Sequence, residues 1–142
     1  MAIETSYTQL RTDPFVNGHH VLGREVPGSG SAIANSDAVA GAGFGTTAAV
    51  AVAAGSSGVA CETRATVTVT AGGTGEAQAT ATVVVTFKGA YSSAPKVFLQ
   101  DTGTNAGYWR VSAVAVGSFT AIMDHLPVAA QVYGFEFIVL PA

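Results

Sequence analysis

The sequence predicts an all-β protein: an antiparallel β-sandwich or jelly roll of about seven to eight strands, preceded by an extended N-terminal arm. Three observations favour this class. Apolar and hydroxyl residues alternate in several short segments, most clearly at 66–70, where Val67 and Val69 share one face. Glycine, proline and asparagine separate these segments. No helical period of 3.6 and no heptad runs through the chain, so neither a helical bundle nor a coiled coil is expected.

Residues 1–45 are predicted to be the arm, and residues 46–142 the sandwich domain. In the arm, short apolar pieces are interrupted by Asp13-Pro14, by Asn17-Gly18 and by a run of Pro, Gly and Ser at 27–31. A segment of this composition has little core of its own and becomes ordered only against another surface. The side chains expected to contact a partner are the larger apolar ones: Tyr7, Leu10, Phe15, Val21 and Leu22.

The strands are predicted from alternation and from the turn residues that bound them. They are expected at 47–52, 66–70, 82–87, 96–100, 108–116, 118–123 and 132–140. The glycines at 72–75 suit a hairpin between the second and third of these. Pro95 marks the end of a connection and residues 102–107 form a loop. Residues 126–132 are expected to form at most one helical turn.

One face of these strands should form the core. Its predicted members are Val67, Val69, Val83, Val85, Phe87, Val97, Leu99, Trp109, Phe119, Phe135 and Phe137. The last strand is apolar on both faces, so its second face needs cover. The surroundings of the opposing sheet, the N-terminal arm or another subunit could cover it, and we favour a subunit interface formed by Val132, Ile138 and Leu140.

Composition and charge exclude several classes. Charged residues make up 11% of the chain and the net charge is −3. The six basic residues are scattered, so no nucleic-acid surface is predicted. Residues 38–61 carry no charge, but glycine, serine and threonine dilute their apolar side chains, and no membrane span is expected. The N-terminus lacks the apolar run of a secretory signal, so synthesis and assembly in the cytoplasm are expected. Cys61 is the single cysteine, which excludes an intramolecular disulfide.

A series of short sequence segments in residues 43–142 resembles a recurrent β-sandwich of tailed-bacteriophage virion proteins. They include Val83-Val-Val-Thr-Phe87, Tyr91, Ala94-Pro95-Lys-Val-Phe-Leu99, Val111-Ser-Ala-Val114, Phe119-Thr120 and the strand from Tyr133 to Leu140, with Gly43-Phe-Gly-Thr-Thr47 upstream. Members of this family occur as capsid decoration or cement proteins and as tips of head fibres and tail fibres. The resemblance implies a place in the virion and carries over no functional residue. This chain differs from the fibre members because no shaft repeat precedes the sandwich.

Catalytic, metal and cofactor sites are not predicted. Gly41-Ala-Gly-Phe-Gly45 is followed by Thr46 and a strand-like segment, which does not fit a dinucleotide loop. His19, His20 and His125 lack the spacing and the cysteine partners of a zinc site. Asp101 and Asp124 would form a carboxylate pair only if the fold brought them together. No G-x-S-x-G motif marks a nucleophile.

Two functions remain after these exclusions, and neither is enzymatic. The first is a capsid decoration or cement protein that binds the major capsid protein and stabilises the head surface. The second is a head-fibre or tail-fibre tip that binds a host surface receptor or glycan. In the second, the binding loops would be residues 102–107 and 124–131. Trp109 is expected in the core, with Tyr108 half-exposed beside it, rather than both forming a sugar platform.

Overall fold

The structure is a computed structural model, and it describes residues 31–54, 60–61, 63–72 and 81–142. These residues form eight β-strands and two short 3₁₀ turns, Asn35–Asp37 and Ala42–Phe44. The strands are β1 (Ala38–Ala40), β2 (Ala49–Ala53), β3 (Arg64–Thr70), β4 (Ala81–Thr86), β5 (Lys96–Asp101), β6 (Trp109–Ala115), β7 (Ser118–Met123) and β8 (Val132–Leu140). The predicted all-β class is confirmed.

The strands make two four-stranded antiparallel sheets that pack as a sandwich. The front sheet has the order β2-β3-β8-β5 and the back sheet the order β1-β4-β7-β6. Alternation decides which residues face inward. In β3, for example, Ala65, Val67 and Val69 are fully buried, while the threonines between them lie on the outer face. Outer hydroxyls and inner aliphatic side chains are what a half-buried β-strand requires.

The core lies between the two sheets. Cross-strand pairs bring Val67 opposite Phe135 in the front sheet, and Val85 opposite Phe119 in the back sheet. The largest fully buried side chains are Tyr133, Phe44, Phe119, Phe135, Phe137, Met123, Val67, Val69, Val83 and Val85. Eight of the predicted core residues are buried as expected: Val67, Val69, Val83, Val85, Phe87, Phe119, Phe135 and Phe137.

Val97, Leu99 and Trp109 were predicted to be in the core, but they are only partly buried and pack against its margin. Val97 and Leu99 belong to β5 and Trp109 to β6, the edge strands of the two sheets. An edge strand has a neighbour on one side only, so its inward side chains keep some contact with water.

The predicted hairpin at residues 72–75 is wrong, because β3 and β4 lie in different sheets. β3 pairs with β2 and β8, whereas β4 pairs with β1 and β7. Residues 73–80 are outside the described part of the chain. A glycine-rich connection indicates that the chain turns, but long-range packing decides which strand becomes the neighbour.

The sandwich begins earlier than the predicted boundary at residue 46. Ala38–Ala40 forms β1 and pairs with β4, and Phe44 is inserted into the core with 1% of its surface exposed. Ile33 is also buried. The short strand has only one large apolar residue, Val39, so alternation is too brief there to be recognised. Residues 1–30 are outside the described residues, and nothing in the fold tests their role as an arm.

Two further observations concern the uncharged segment at residues 38–61. In the part of the chain that the structure describes, no helix is long and apolar enough to cross a membrane. Gly41 instead allows a close approach to β4: its N–H donates to the Thr82 carbonyl at 2.7 Å, and a Cβ at Gly41 would lie 2.4 Å from Thr82 Oγ1.

Candidate interaction surfaces

Three large apolar side chains lie side by side on the outer face of the front sheet. Phe98 of β5 is opposite Ile138 of β8, and Leu140 follows Ile138 on the same face, opposite Lys96. Their exposed fractions are 56% for Phe98, 37% for Ile138 and 47% for Leu140. We call these three residues the front patch. In water such a patch has an unfavourable free energy of hydration, so it is a candidate contact surface.

The surroundings of the front patch are small and weakly charged. The outer positions of β2 and β3 are occupied by Ala49, Ala51, Ala53, Thr66, Thr68 and Thr70. The nearest charges in the sheet register are Arg64 beside Ile138, Lys96 beside Leu140, and Glu136 two residues before Ile138. Flat, small side chains around an apolar patch allow another protein surface to approach closely.

All three residues predicted for the subunit interface lie on the outer face, where they were expected. Val132, Ile138 and Leu140 are each exposed, while Tyr133, Phe135, Phe137 and Val139 point into the core. Phe98 is the residue that the sequence analysis did not assign to this face. Alternation along the strand indicates this position, because Phe98 lies between Val97 and Leu99, which were both expected to face inward.

A second surface is formed by two loops at the opposite end of the sandwich. These are residues 101–108, between β5 and β6, and residues 124–131, between β7 and β8; together we call them the loop end. Asp101 organises the first loop, since its carboxylate accepts the N–H groups of Gly103 at 3.2 Å, Gly107 at 2.8 Å and Tyr108 at 3.0 Å. Three donors on one carboxylate hold the loop in a single conformation.

The second loop is tied down by Tyr133, whose ring is buried. Its hydroxyl accepts the N–H of Val128 at 2.9 Å and donates to Gln131 Oε1 at 3.2 Å. The Ala130 N–H donates to the carbonyl of Ala71 at 3.1 Å. The first loop is anchored nearby, because Asn105 Nδ2 donates to the Val132 carbonyl at 3.0 Å. Both loops are thus held by bonds to the sheet.

Tyr108 is the most exposed large residue of the loop end, with 67% of its surface open to water. Its φ is 51°, in the left-handed region that is unfavourable for a side chain of this size. Its N–H is bound by Asp101, and its carbonyl accepts the N–H of Asp124 at 3.4 Å. Its ring meets the His125 ring edge-on, with centroids 6.5 Å apart. Asp124, which makes this backbone bond with Tyr108, also pairs through Oδ2 with Arg110 Nε at 2.7 Å.

Trp109 turns inward, so Trp109 and Tyr108 do not form a joint platform. The indole packs on Phe135 with centroids 4.7 Å apart and on Phe44 at 6.0 Å. Its Nε1 is buried without a hydrogen-bond partner. A Cβ on Gly107 would lie 2.4 Å from this nitrogen, so only glycine allows the loop to lie flat on the indole.

The partners of the remaining candidate residues are as follows. The Asp101 carboxylate accepts backbone N–H groups of its own loop, and Asp124 pairs with Arg110. Cys61 is buried, with its Sγ 3.2 Å from Thr63 Oγ1. Within the described ranges, no three or more His, Cys, Asp or Glu side chains lie close enough to hold a metal ion. His19 and His20, and the arm residues Tyr7, Leu10, Phe15, Val21 and Leu22, lie outside those ranges.

Comparison with protein-family models, with curated proteins and with solved structures finds no match for this chain.

Proposed function

We propose that this chain is a bacteriophage virion structural protein: a capsid decoration or cement protein that binds the major capsid protein and stabilises the head surface, as a homotrimer. The observation that carries the proposal is the front patch, an exposed apolar cluster on a sandwich whose chain has only 11% charged residues. A surface of this kind fits a subunit that is bound to neighbouring subunits in an assembly.

The size of the front patch favours a subunit with more than one contact. Full burial of a large apolar side chain stabilises by about 1.5–3 kcal/mol, and these three are about half-exposed, so covering them contributes roughly 2–4 kcal/mol. Bringing two proteins together costs at least about 4 kcal/mol in lost translational and rotational freedom. The patch alone therefore does not hold a tight complex, and a second contact is needed.

The N-terminal segment is the proposed second contact. Ala32 bridges to Cys61, and Cys61 to Arg64, which is opposite Ile138 in the front sheet. Two bridges and one strand pairing thus connect Ala32, near the start of the described chain, with Ile138 of the front patch. Tyr7, Leu10, Phe15, Val21 and Leu22 supply the apolar contacts, and main-chain bonding to a sheet edge of a neighbour supplies the rest.

The test is binding to capsids that lack the protein. We expect a chain without residues 2–30 to remain folded by circular dichroism but to lose capsid binding in a co-sedimentation assay. Full-length Phe15→Asp and Leu22→Asp variants should weaken binding in the same direction. Capsids without the protein should lose integrity at a lower temperature. Undiminished binding of the truncated chain would show that the arm is not the anchor.

The second candidate function is a head-fibre or tail-fibre tip that binds a host surface receptor. The observation that favours it is the loop end, where two anchored loops present Tyr108 and His125 to solvent. Copy number separates the two functions. Gel densitometry of purified virions should show hundreds of copies for a decoration protein, and about a dozen for a fibre, as fibre symmetry requires.

A further inference from the structure

We infer that the loop end is a carbohydrate-binding site, in which the ring of Tyr108 stacks on a pyranose and the side chains of Arg110, Asp124 and His125 bond its hydroxyl groups. This inference deepens the second candidate function and rests on it, because it names the class of ligand that the loop end binds. It does not involve the front patch or the arm.

The first argument is the backbone of Tyr108. Left-handed φ values are unfavourable for bulky residues, and they persist only where the surrounding structure enforces them. Two hydrogen bonds hold the backbone of Tyr108 in this conformation. Its N–H donates to the Asp101 carboxylate, and its carbonyl accepts the N–H of Asp124. Ala130, at φ 64°, is the other non-glycine residue with a positive φ in the described part of the chain, and it also belongs to the loop end. Strain concentrated at one end of the sandwich points to a site there.

The second argument is that the strain presents an aromatic ring to solvent instead of burying it. Tyr108 is 67% exposed, although the core begins at the adjacent Trp109. An aromatic ring on a rigid backbone loses little conformational entropy on binding, because its position is set before the ligand arrives. Its contact with His125 is edge-on, and most of its surface stays open.

The third argument is the chemistry around the ring. The electron-rich face of an aromatic ring attracts the polarised C–H groups on the apolar side of a pyranose. The hydroxyl groups at the sugar's rim need donors and acceptors in fixed positions. Arg110 bonds Asp124 through Nε, and a guanidinium has further N–H donors. Asp124 has a second carboxylate oxygen, and both side chains are about half-exposed at 57% and 45%. A ring beside a paired carboxylate and guanidinium matches a sugar.

The small extent of this cluster favours a sugar over a protein. A stable protein interface buries about 800 Å² on each partner, with several hydrophobic anchors at its centre. At the loop end only two large apolar side chains, Tyr108 and Leu126, are more than half exposed, so it offers one aromatic anchor rather than several. The loop end is also far enough from the front patch to stay open to a ligand. β8 runs from the loop end at Val132 to the front patch at Leu140, so the two surfaces are about 27 Å apart.

The experiment uses the full chain and a panel of methyl glycosides of glucose, galactose, mannose and N-acetylglucosamine, followed by an array of bacterial and mucosal oligosaccharides. Saturation-transfer NMR should show transfer to the ring C–H groups of at least one pyranoside. Trp109 is the single tryptophan, so its fluorescence gives an independent titration next to the site. Tyr108→Gly removes the ring and adopts a left-handed φ without strain. It should weaken binding at least about tenfold, a loss of about 1.4 kcal/mol.

Val39→Ala is the control, because it removes an apolar side chain at 58% exposure from the back sheet, outside both candidate surfaces. It should leave sugar binding unchanged, whereas Tyr108→Phe should retain most of it. The inference is overturned if no glycoside or oligosaccharide binds, if only proteins bind, or if Tyr108→Gly binds as well as the unmodified chain. Capsid binding by the same variants reports on the decoration function separately, since Tyr108→Gly should decorate capsids normally.

Discussion

At the scale of single residues, aromatic contacts organise the core. Phe119 of the back sheet meets Phe137 and Phe135 of the front sheet, with ring centroids 5.1 Å and 6.5 Å apart. Phe87 contacts both Phe119 and Tyr91. Edge-to-face pairs of this kind contribute about 0.5–1.5 kcal/mol beyond the area that they bury. Rings from the two sheets thus meet within the core.

Truncating a ring of this group should be costly. Phe135 is fully buried, and Phe135→Ala leaves a cavity between the sheets, so we expect a loss of about 3–5 kcal/mol in the free energy of unfolding. Phe87→Ala should act in the same direction. Phe98→Ala, on the outer face, should change the stability by less than about 0.5 kcal/mol. Urea unfolding of the three variants measures the differences. Equal midpoints for Phe135→Ala and Phe98→Ala would mean that the inner and outer faces have been exchanged.

Asp37 is the residue with the clearest electrostatic role. Its carboxylate accepts the N–H of Ala34 at 2.7 Å and pairs with Lys88 at 2.6 Å. The backbone hydrogen bond first, and then Lys88, hold the pKa of Asp37 below its ordinary value of 3.8. The contact links the segment before β1 to the segment after β4.

The lowered pKa predicts a pH dependence of stability. A carboxyl with a lowered pKa in the folded state stabilises the fold above its ordinary pKa, and this stabilisation is lost as pH falls through the lowered value. Asp37→Asn should therefore lower the melting temperature at pH 7, and the difference from the unmodified chain should shrink below about pH 4. Thermal scans from pH 2 to pH 7 measure it. A difference that is constant with pH would show that the ionised carboxylate contributes nothing.

At the scale of secondary-structure elements, the edges of the sheets differ in how they are protected. β1 is only three residues long, and β6 has a register irregularity between Val111 and Ala113. At β2, the outward N–H of Val52 donates to Asn35 Oδ1 at 2.7 Å. Short strands, bulges and side-chain caps are known ways to prevent edge-to-edge aggregation. The segment around β1 thus completes one sheet and covers the edge of the other.

Gly41 is the tightest point of that segment, because it follows β1 directly against β4. In Gly41→Ala the new methyl group would collide with Thr82 Oγ1, so we expect a loss of about 1–3 kcal/mol in stability. Thr82→Ala removes the colliding oxygen, and the double variant should recover most of the loss. Chemical denaturation of the two single variants and the double variant gives the coupling energy. Additive losses in the double variant would exclude the steric explanation.

At the scale of the whole molecule, the two candidate surfaces lie at opposite ends of the sandwich. The front patch lies where β8 ends and β5 begins, and the loop end lies where β5 ends and β8 begins. In the proposed assembly, a contact through the front patch leaves the loop end at the other end of the same strands.

Self-association through the front patch can be tested by introducing a charged side chain there. Ile138→Lys places a third positive charge beside Arg64 and Lys96, so we expect it to dissociate the proposed homotrimer. Val39→Lys is the matched control, because Val39 is exposed on the outer face of the back sheet. Sedimentation velocity at micromolar concentration measures both. A stable monomer for the unmodified chain would contradict the symmetric subunit, and dissociation by Val39→Lys would place the interface on the back sheet.

The order of the residues was enough to predict the class of fold, seven of the eight strands and most of the inner face, because alternation along a strand is a local property. Val132, Ile138 and Leu140 were placed on the outer face for the same reason. The neighbours of β3 and β4, the inclusion of β1 and Phe44 in the sandwich, and the meeting of the two loops at Tyr108 became apparent only in the folded chain. These depend on contacts between residues far apart in the chain, and no local pattern encodes them.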